Sequence, residues 1–146
     1  MNETVVYIHG KGGSAAEAPH YAPLFPGSRV IGFDYAAGTP WEAKAEFGAY
    51  FSGISAGPVT VIANSIGAFF AMHALDEKTV RQAYLISPVV DMEKLIRGMM
   101  AAENVTEQEL RTRKEIPTRF GETLSWAYLS YVRENPVSWN VPTHIL

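Results

Sequence analysis

No cysteine occurs among the 146 residues. That absence excludes disulfides, thiolate zinc sites, iron–sulfur clusters and a cysteine nucleophile together. Histidine is scarce: His9, His20, His73 and His144 are the only four, and no two stand at helical or hairpin ligand spacing. No metal site is expected. Basic residues are not in excess, with 12 Lys and Arg against 15 Asp and Glu and a formal net charge of −3. A nucleic-acid partner would need a basic face to neutralise phosphates, and none is expected. No apolar run approaches the roughly 18 residues of a membrane span. The start, Met1-Asn2-Glu3-Thr4, has neither the basic nor the apolar part of a signal peptide. The expectation is a cytoplasmic protein with no membrane partner.

What is present is a foldable core. Hydrophobic residues make up 47% and charged residues 18% of the chain, enough apolar surface to offset the ordering entropy of one domain over residues 1–146. The apolar runs alternate in kind. Val5–Ile8 is a β-branched strand candidate ending at His9-Gly10. The loop Gly10-Lys11-Gly12-Gly13-Ser14 follows, then a stretch with Pro19, Pro23 and Pro26. Arg29–Phe33 reads as a second strand closed by Asp34. Thr39-Pro40-Trp41-Glu42 carries the marks of a helix start, a capping box with proline at the first helical position. Phe47, Tyr50, Phe51 and Ile54 then recur at i, i+3, i+4 and i+7, the apolar face of that helix.

Gly57-Pro58 ends the helix, and Val59–Ala63 is apolar except at Thr60, as in a strand covered on both faces. Ile66–Leu75 is a helix of small residues, and Ala83–Ile86 a fourth strand ended by Ser87-Pro88. From Asp91 to Asn135 the pattern is mostly helical. Asp91 caps one helix, Thr106 with Glu109 forms a second capping box, and Leu124, Tyr128 and Tyr131 mark a third helix. Val141–Leu146 reads as the entry to a fifth strand. Such alternation means an α/β architecture, a mainly parallel sheet with helices on both faces and right-handed crossovers.

Chemistry then belongs to the loops at the carboxyl ends of the strands. Ala63-Asn64-Ser65-Ile66-Gly67 joins strand to helix with no room for an ordinary loop. A serine there is forced into a strained conformation with its hydroxyl above the sheet, beside a helix N-terminus. The bland alternative is a serine that caps the helix. His9-Gly10-Lys11-Gly12-Gly13, after the first strand, offers backbone N–H groups to an oxyanion, each commonly worth about 2.7–4 kcal/mol in acyl transfer. Ile66 and Lys11 are the expected donors, and His9 orients the loop. A plain glycine turn is the alternative.

Together these two motifs resemble the α/β-hydrolase fold superfamily, in particular its small serine esterase-like members. The likeness runs over the whole element order. It implies a first strand between the second and third, and a helical cap-like insertion over residues 92–136. It also implies an acyl-enzyme on Ser65, with Ile66 and Lys11 N–H groups holding the oxyanion and His9, Gly10 and Asn64 at the substrate. The substrate would be a small-molecule carboxylic ester or related acyl compound, with no cofactor.

Two departures stand out. Ala63 replaces the usual glycine, and the family's triad order of serine, acid, histidine is not completed by Leu146. The expectation is a truncated fold, inactive as it stands, whose exposed sheet edge favours a homodimer. Asp91 is a weak acid candidate. His73 lies about 12 Å along the elbow's helix at 1.5 Å per residue. His144 is expected at the sheet end away from Ser65, and His20 falls out of family order.

Two rivals remain. One is a non-catalytic binding protein of the same fold. The other is a dinucleotide-binding domain, since Gly10-Lys11-Gly12-Gly13-Ser14-Ala15 matches G-x-G-x-x-G/A and Asp34 stands where a ribose-binding acid would. That rival needs a helix opening at the loop, which Pro19 and Pro23 should interrupt. Met92, Met99, Met100, Trp126, Tyr128 and Tyr131 are either core at helical spacing or the lining of an acyl pocket.

Overall fold

The expected strands and helices form, and they form a parallel sheet. The computed structural model describes residues 3–54 and 56–146. Its strands β1 (Thr4–Ile8), β2 (Arg29–Phe33), β3 (Val59–Asn64), β4 (Val80–Ile86) and β7 (Thr143–Ile145) make one sheet in the order β2-β1-β3-β4-β7. Every pairing in it is parallel. β1 therefore lies between β2 and β3, as the resemblance implies. β4 begins at Val80, three residues earlier than its apolar run suggests, because Arg81 and Gln82 sit at the polar start of the strand. There Glu3 accepts from Thr60 and pairs with Arg81.

Side-chain alternation sends Val5 and Tyr7 to one face and Ile8 to the other. Helices α1 (Pro40–Ile54) and α2 (Ile66–Ala74) cover the Ile8 face. Phe33 at the end of β2 stacks on Tyr50 at 3.9 Å and meets Phe47 edge-on at 4.9 Å. Phe47 is fully buried, worth about 2–3 kcal/mol of apolar transfer. Thr39 caps α1 as its sequence predicts, its Oγ1 accepting from the Glu42 N–H at 3.3 Å. The opposite face is covered by two 3-10 turns, Ala15–His20 and Ala22–Leu24. Tyr7 stacks on Tyr21 there, and Phe25 meets Tyr84 edge-on.

Residues 15–24 thus form tight 3-10 turns around Pro19 and Pro23 rather than an α-helix. The helix N-terminus that a pyrophosphate needs does not follow the glycine loop, and the dinucleotide reading loses its physical basis.

Contacts divide the chain into two compact units, residues 1–90 with 137–146 and residues 91–136. The second contains α3 (Met92–Ala102), α4 (Glu107–Arg113) and α5 (Trp126–Glu134). Asp91 caps α3, accepting from the Lys94 N–H at 3.0 Å. The Thr106–Glu109 capping box opens α4. Leu124 is not helical. It lies in β6 (Thr123–Ser125), which pairs antiparallel with β5 (Glu115–Pro117) in a hairpin with no clear signal in the sequence. Three-residue strands are too short to display a period of two. Met92 and Met100 are buried, the core role. Among the described residues no helix is long and apolar enough to cross a membrane.

Candidate functional site

Gly67, two residues after Ser65, explains how the turn at the end of β3 is built. A Cβ on Gly67 would lie 2.3 Å from the His9 carbonyl oxygen and 3.1 Å from that of Ile8. Only glycine lets α2 start against the end of β1. The chain must then reverse from strand to helix within one residue, and Ser65 takes φ 54° and ψ −118°. A non-glycine residue in that region stores on the order of 1–3 kcal/mol. The turn is locked from both sides: the Ser65 N–H donates to the Ile86 carbonyl at 2.9 Å, and its carbonyl accepts from Val89 at 3.2 Å. The Ser65 hydroxyl does not cap α2, so capping does not account for this serine.

The glycine loop meets Ser65 directly. Gly10 and Gly13 close a turn through the Gly13 N–H on the Gly10 carbonyl at 3.1 Å, with Gly12 at φ 80°. A Cβ placed on Gly10 would stand 3.3 Å from the Ser65 Cβ. Between loop and serine is an open pocket of about 300 Å³ lined by Gly10, Lys11, Gly12, Gly13, Glu17, Asn64 and Ser65. Four of the expected site residues, Ser65, Lys11, Gly10 and Asn64, therefore share one cavity. Ile66 is the first residue of α2, where a backbone N–H has no acceptor within its own helix.

His9 stands behind this wall rather than in it. It is 8% exposed, and its ring stacks on Tyr35 with centroids 4.2 Å apart. Nδ1 donates to the Gly10 carbonyl at 2.8 Å, leaving Nε2 buried, 3.8 Å from Asp34 Oδ1. The Tyr35 hydroxyl donates to the His9 carbonyl at 2.8 Å. Burial pushes the Tyr35 phenol up to about 12, with the Glu46 carboxylate adding to the shift, so that donor keeps its proton at any working pH. Glu46 in turn accepts from the Ala36 and Ala37 N–H groups at 2.9 Å and ties down the loop that carries Tyr35. His9 is thus clamped on ring and carbonyl, and it is not among the residues that line the pocket.

Asp91 belongs to the other unit, where it caps α3. His73 is half-buried on α2 and stacks on Phe69. Burial, with the Lys44 charge, lowers its pKa. His144 is nearer than its sequence position suggests: it pairs in register with Tyr84, whose partner on β3 is Ile62, three residues before Ser65. Its ring stacks on Tyr84 on the 3-10 face. His20 packs edge-on against Tyr21. Among the described residues none of these histidines lines the pocket, and no group of three or more His, Asp or Glu could hold a metal.

Glu17 is the lining residue that sequence reasoning missed. Tyr7, one strand away, donates its hydroxyl to Glu17 Oε1 at 2.5 Å. Burial raises the Tyr7 pKa well above its usual value, the Glu17 carboxylate raises it further, and a hydrogen bond with Asn64 acts against both. Asn64, Tyr7 and Glu17 are therefore linked. A glutamate ten residues beyond a tyrosine carries no sequence signal for such a link.

The fold as a whole recurs in solved structures. Alpha/beta hydrolase domain-containing protein 10 from mouse superposes with a TM-score of 0.72 over 97% of this chain and 67% of that one, at 15% identity. The chain has the α/β-hydrolase fold. Est1E from Butyrivibrio proteoclasticus shares this α/β-hydrolase likeness, with a TM-score of 0.67, 13% identity and coverage of 99% and 66% of the two chains. By sequence, a Mycoplasma genitalium protein named "Putative esterase/lipase 3" is 29% identical over 100 residues, 60% of this chain and 37% of that protein. The match thus spans little more than a third of that relative's length. No family model matches the chain.

Proposed function

We propose that the chain is a serine hydrolase of the α/β-hydrolase fold that forms an acyl-enzyme on Ser65 from a small carboxylic ester or related acyl compound. One observation carries the reading: Ser65 sits at a positive φ at the strand-to-helix turn and faces the glycine loop across a cavity of about 300 Å³. Strain of this kind persists where the surroundings over-determine it, and it clusters at functional sites. The esterase/lipase name of the Mycoplasma genitalium relative points the same way.

In this reading Ser65 Oγ attacks the acyl carbonyl carbon and passes its proton to solvent water. The carbonyl oxygen becomes an oxyanion held by the Ile66 and Lys11 N–H groups; its collapse breaks the ester C–O bond, and the alcohol leaves with a proton taken back from water. Water then hydrolyses the ester on Ser65, releasing the acid. Removal of one oxyanion donor typically costs about 10²–10³ in kcat. The pocket lining has no histidine among the described residues, so slow turnover is expected of this chain, and phosphonylation by an activated electrophile is the step to measure.

The test is incubation with an alkyl fluorophosphonate followed by peptide mass spectrometry. The expected product is one phosphonyl group on Ser65, with fluoride lost, and none in Ser65→Ala. Modification of other residues at the same rate with Ser65 untouched, or no modification at all, would sink the proposal.

A further inference from the structure

We infer that Glu17 gives the Ser65 pocket its selectivity, favouring a short polar acyl group that carries an ammonium over an alkyl chain of the same size. The inference of an acyl group rests on the acyl-enzyme reading above; the preference for the cation stands on the pocket itself.

Three observations carry it. First, the seven lining residues include no apolar side chain: three are glycines, and the rest are Lys11, Glu17, Asn64 and Ser65. An alkyl chain placed there gains little apolar contact, whereas hydrogen-bonding groups find partners on every side. Second, the carboxylate is held in place. Tyr7, whose side chain is fully buried, donates to Oε1 at 2.5 Å, and a phenol with a raised pKa stays a donor. A carboxylate accepts at about four lone-pair positions, and this bond uses one. Third, the loop makes room for it: a Cβ on Gly13 would come within 2.8 Å of Glu17 Oε2. The carboxylate therefore lies against bare backbone at the pocket wall, where a larger residue at position 13 would displace it. Fixed charges of this kind recognise a ligand without paying to order themselves.

Lys11 lines the same pocket. Its backbone N–H serves the proposed oxyanion, and its side chain adds to the pocket lining a charge opposite in sign to that of Glu17. That cation competes with a ligand cation for Glu17, so its removal should sharpen the preference.

The experiment compares two isosteric probes, a 4-aminobutyl and a pentyl fluorophosphonate, by their rate of adduct formation on Ser65 at pH 7. A charge-assisted hydrogen bond to a carboxylate at an open, solvent-exposed wall predicts a rate about threefold to fivefold greater for the aminobutyl probe. The ratio should collapse towards one in Glu17→Gln, rise in Lys11→Met, and shrink in the wild-type protein as salt rises from about 0.01 to 1 M, where the Debye length falls from about 30 to 3 Å. The salt series needs no variant and stands even where Glu17→Gln fails to fold. Equal rates in the wild type, or a ratio that survives Glu17→Gln, overturn the inference. If neither probe marks Ser65, the acyl-enzyme reading is what fails. The pocket's preference is then read by NMR on the labelled protein with the unreactive pair 5-aminopentanamide and hexanamide. Shifts of the Gly13 and Glu17 amide signals with the amino compound alone support the inference, and equal response to both overturns it.

Discussion

Gly67→Ala tests the packing that builds the site. The added methyl would lie 2.3 Å from the His9 carbonyl oxygen and 3.0 Å from Ile8 Cγ2. An ordinary carbon–oxygen contact is roughly 3.3 Å or more, so about 1 Å must be found between the start of α2 and the end of β1. Neither side yields readily. The His9 carbonyl is held by Tyr35 and its ring is stacked, and α2 is anchored through the Ser65 N–H. Overpacking against a rigid wall costs about 3 kcal/mol or somewhat more, and alanine returns about 1 kcal/mol of helix propensity. The net expectation is a loss of about 2 kcal/mol. In urea that lowers the unfolding midpoint by about 1 M, at an m-value near 2 kcal/mol/M. The control is Gly48→Ala in α1, where an added Cβ meets nothing within 4 Å. Propensity alone then predicts a gain of up to about 1 kcal/mol. The same shift moves Ser65 and Ile66 away from the loop, so phosphonylation should slow in Gly67→Ala and not in Gly48→Ala. If the two variants shift the midpoint in the same direction, close approach at Gly67 is not what shapes the turn.

Ser65→Gly relieves the strain at φ 54° and should raise stability by about 1 kcal/mol after the glycine's greater unfolded-state entropy is subtracted. Thermal unfolding checks it, and a lowered midpoint would mean the turn is not strained. Tyr35→Phe leaves the buried His9 carbonyl without its donor; a cost of about 1–2 kcal/mol is expected in urea titration, together with slower modification of Ser65. In the unit of residues 91–136, Arg133 donates to Glu107 at 2.7 and 2.9 Å and to Glu93 at 2.8 Å. The hydrogen bond from Arg133 is the leading cause that lowers the Glu107 pKa below its ordinary 4.5. A depressed carboxylate stabilises the fold above its unfolded pKa, and that stability is lost as pH falls through the folded value. The melting temperature should therefore drop below about pH 4.5, and less steeply in Arg133→Ala than in the wild type. An equal slope in both would show that the pair contributes nothing.

Much of this protein was legible in the sequence because the signals are local. β-branched runs bounded by Gly, Pro or Asp mark β1, β2 and β3 within a residue or so of their ends. Thr39, Asp91 and Thr106 cap the helices they were expected to cap, because a cap needs only the N–H groups two or three residues on. The turn at Ser65 is local too: a strand running straight into a helix with glycine two residues later leaves the serine one place to go. What only the tertiary structure decided depends on which strands are neighbours and in what register. β1 beside β3 brings the His9 carbonyl against Gly67 and Gly10 against Ser65. β2 beside β1 brings Tyr35 onto His9, 26 residues away in the chain. The 3-10 turns folded over the sheet carry Glu17 to Tyr7 and into the pocket wall. Parallel pairing also sets His144 level with Ile62 through Tyr84. Periodicity and capping report each residue's surroundings within a few positions. A side chain that meets a partner across the sheet answers to long-range packing, which leaves no spacing in the sequence to read.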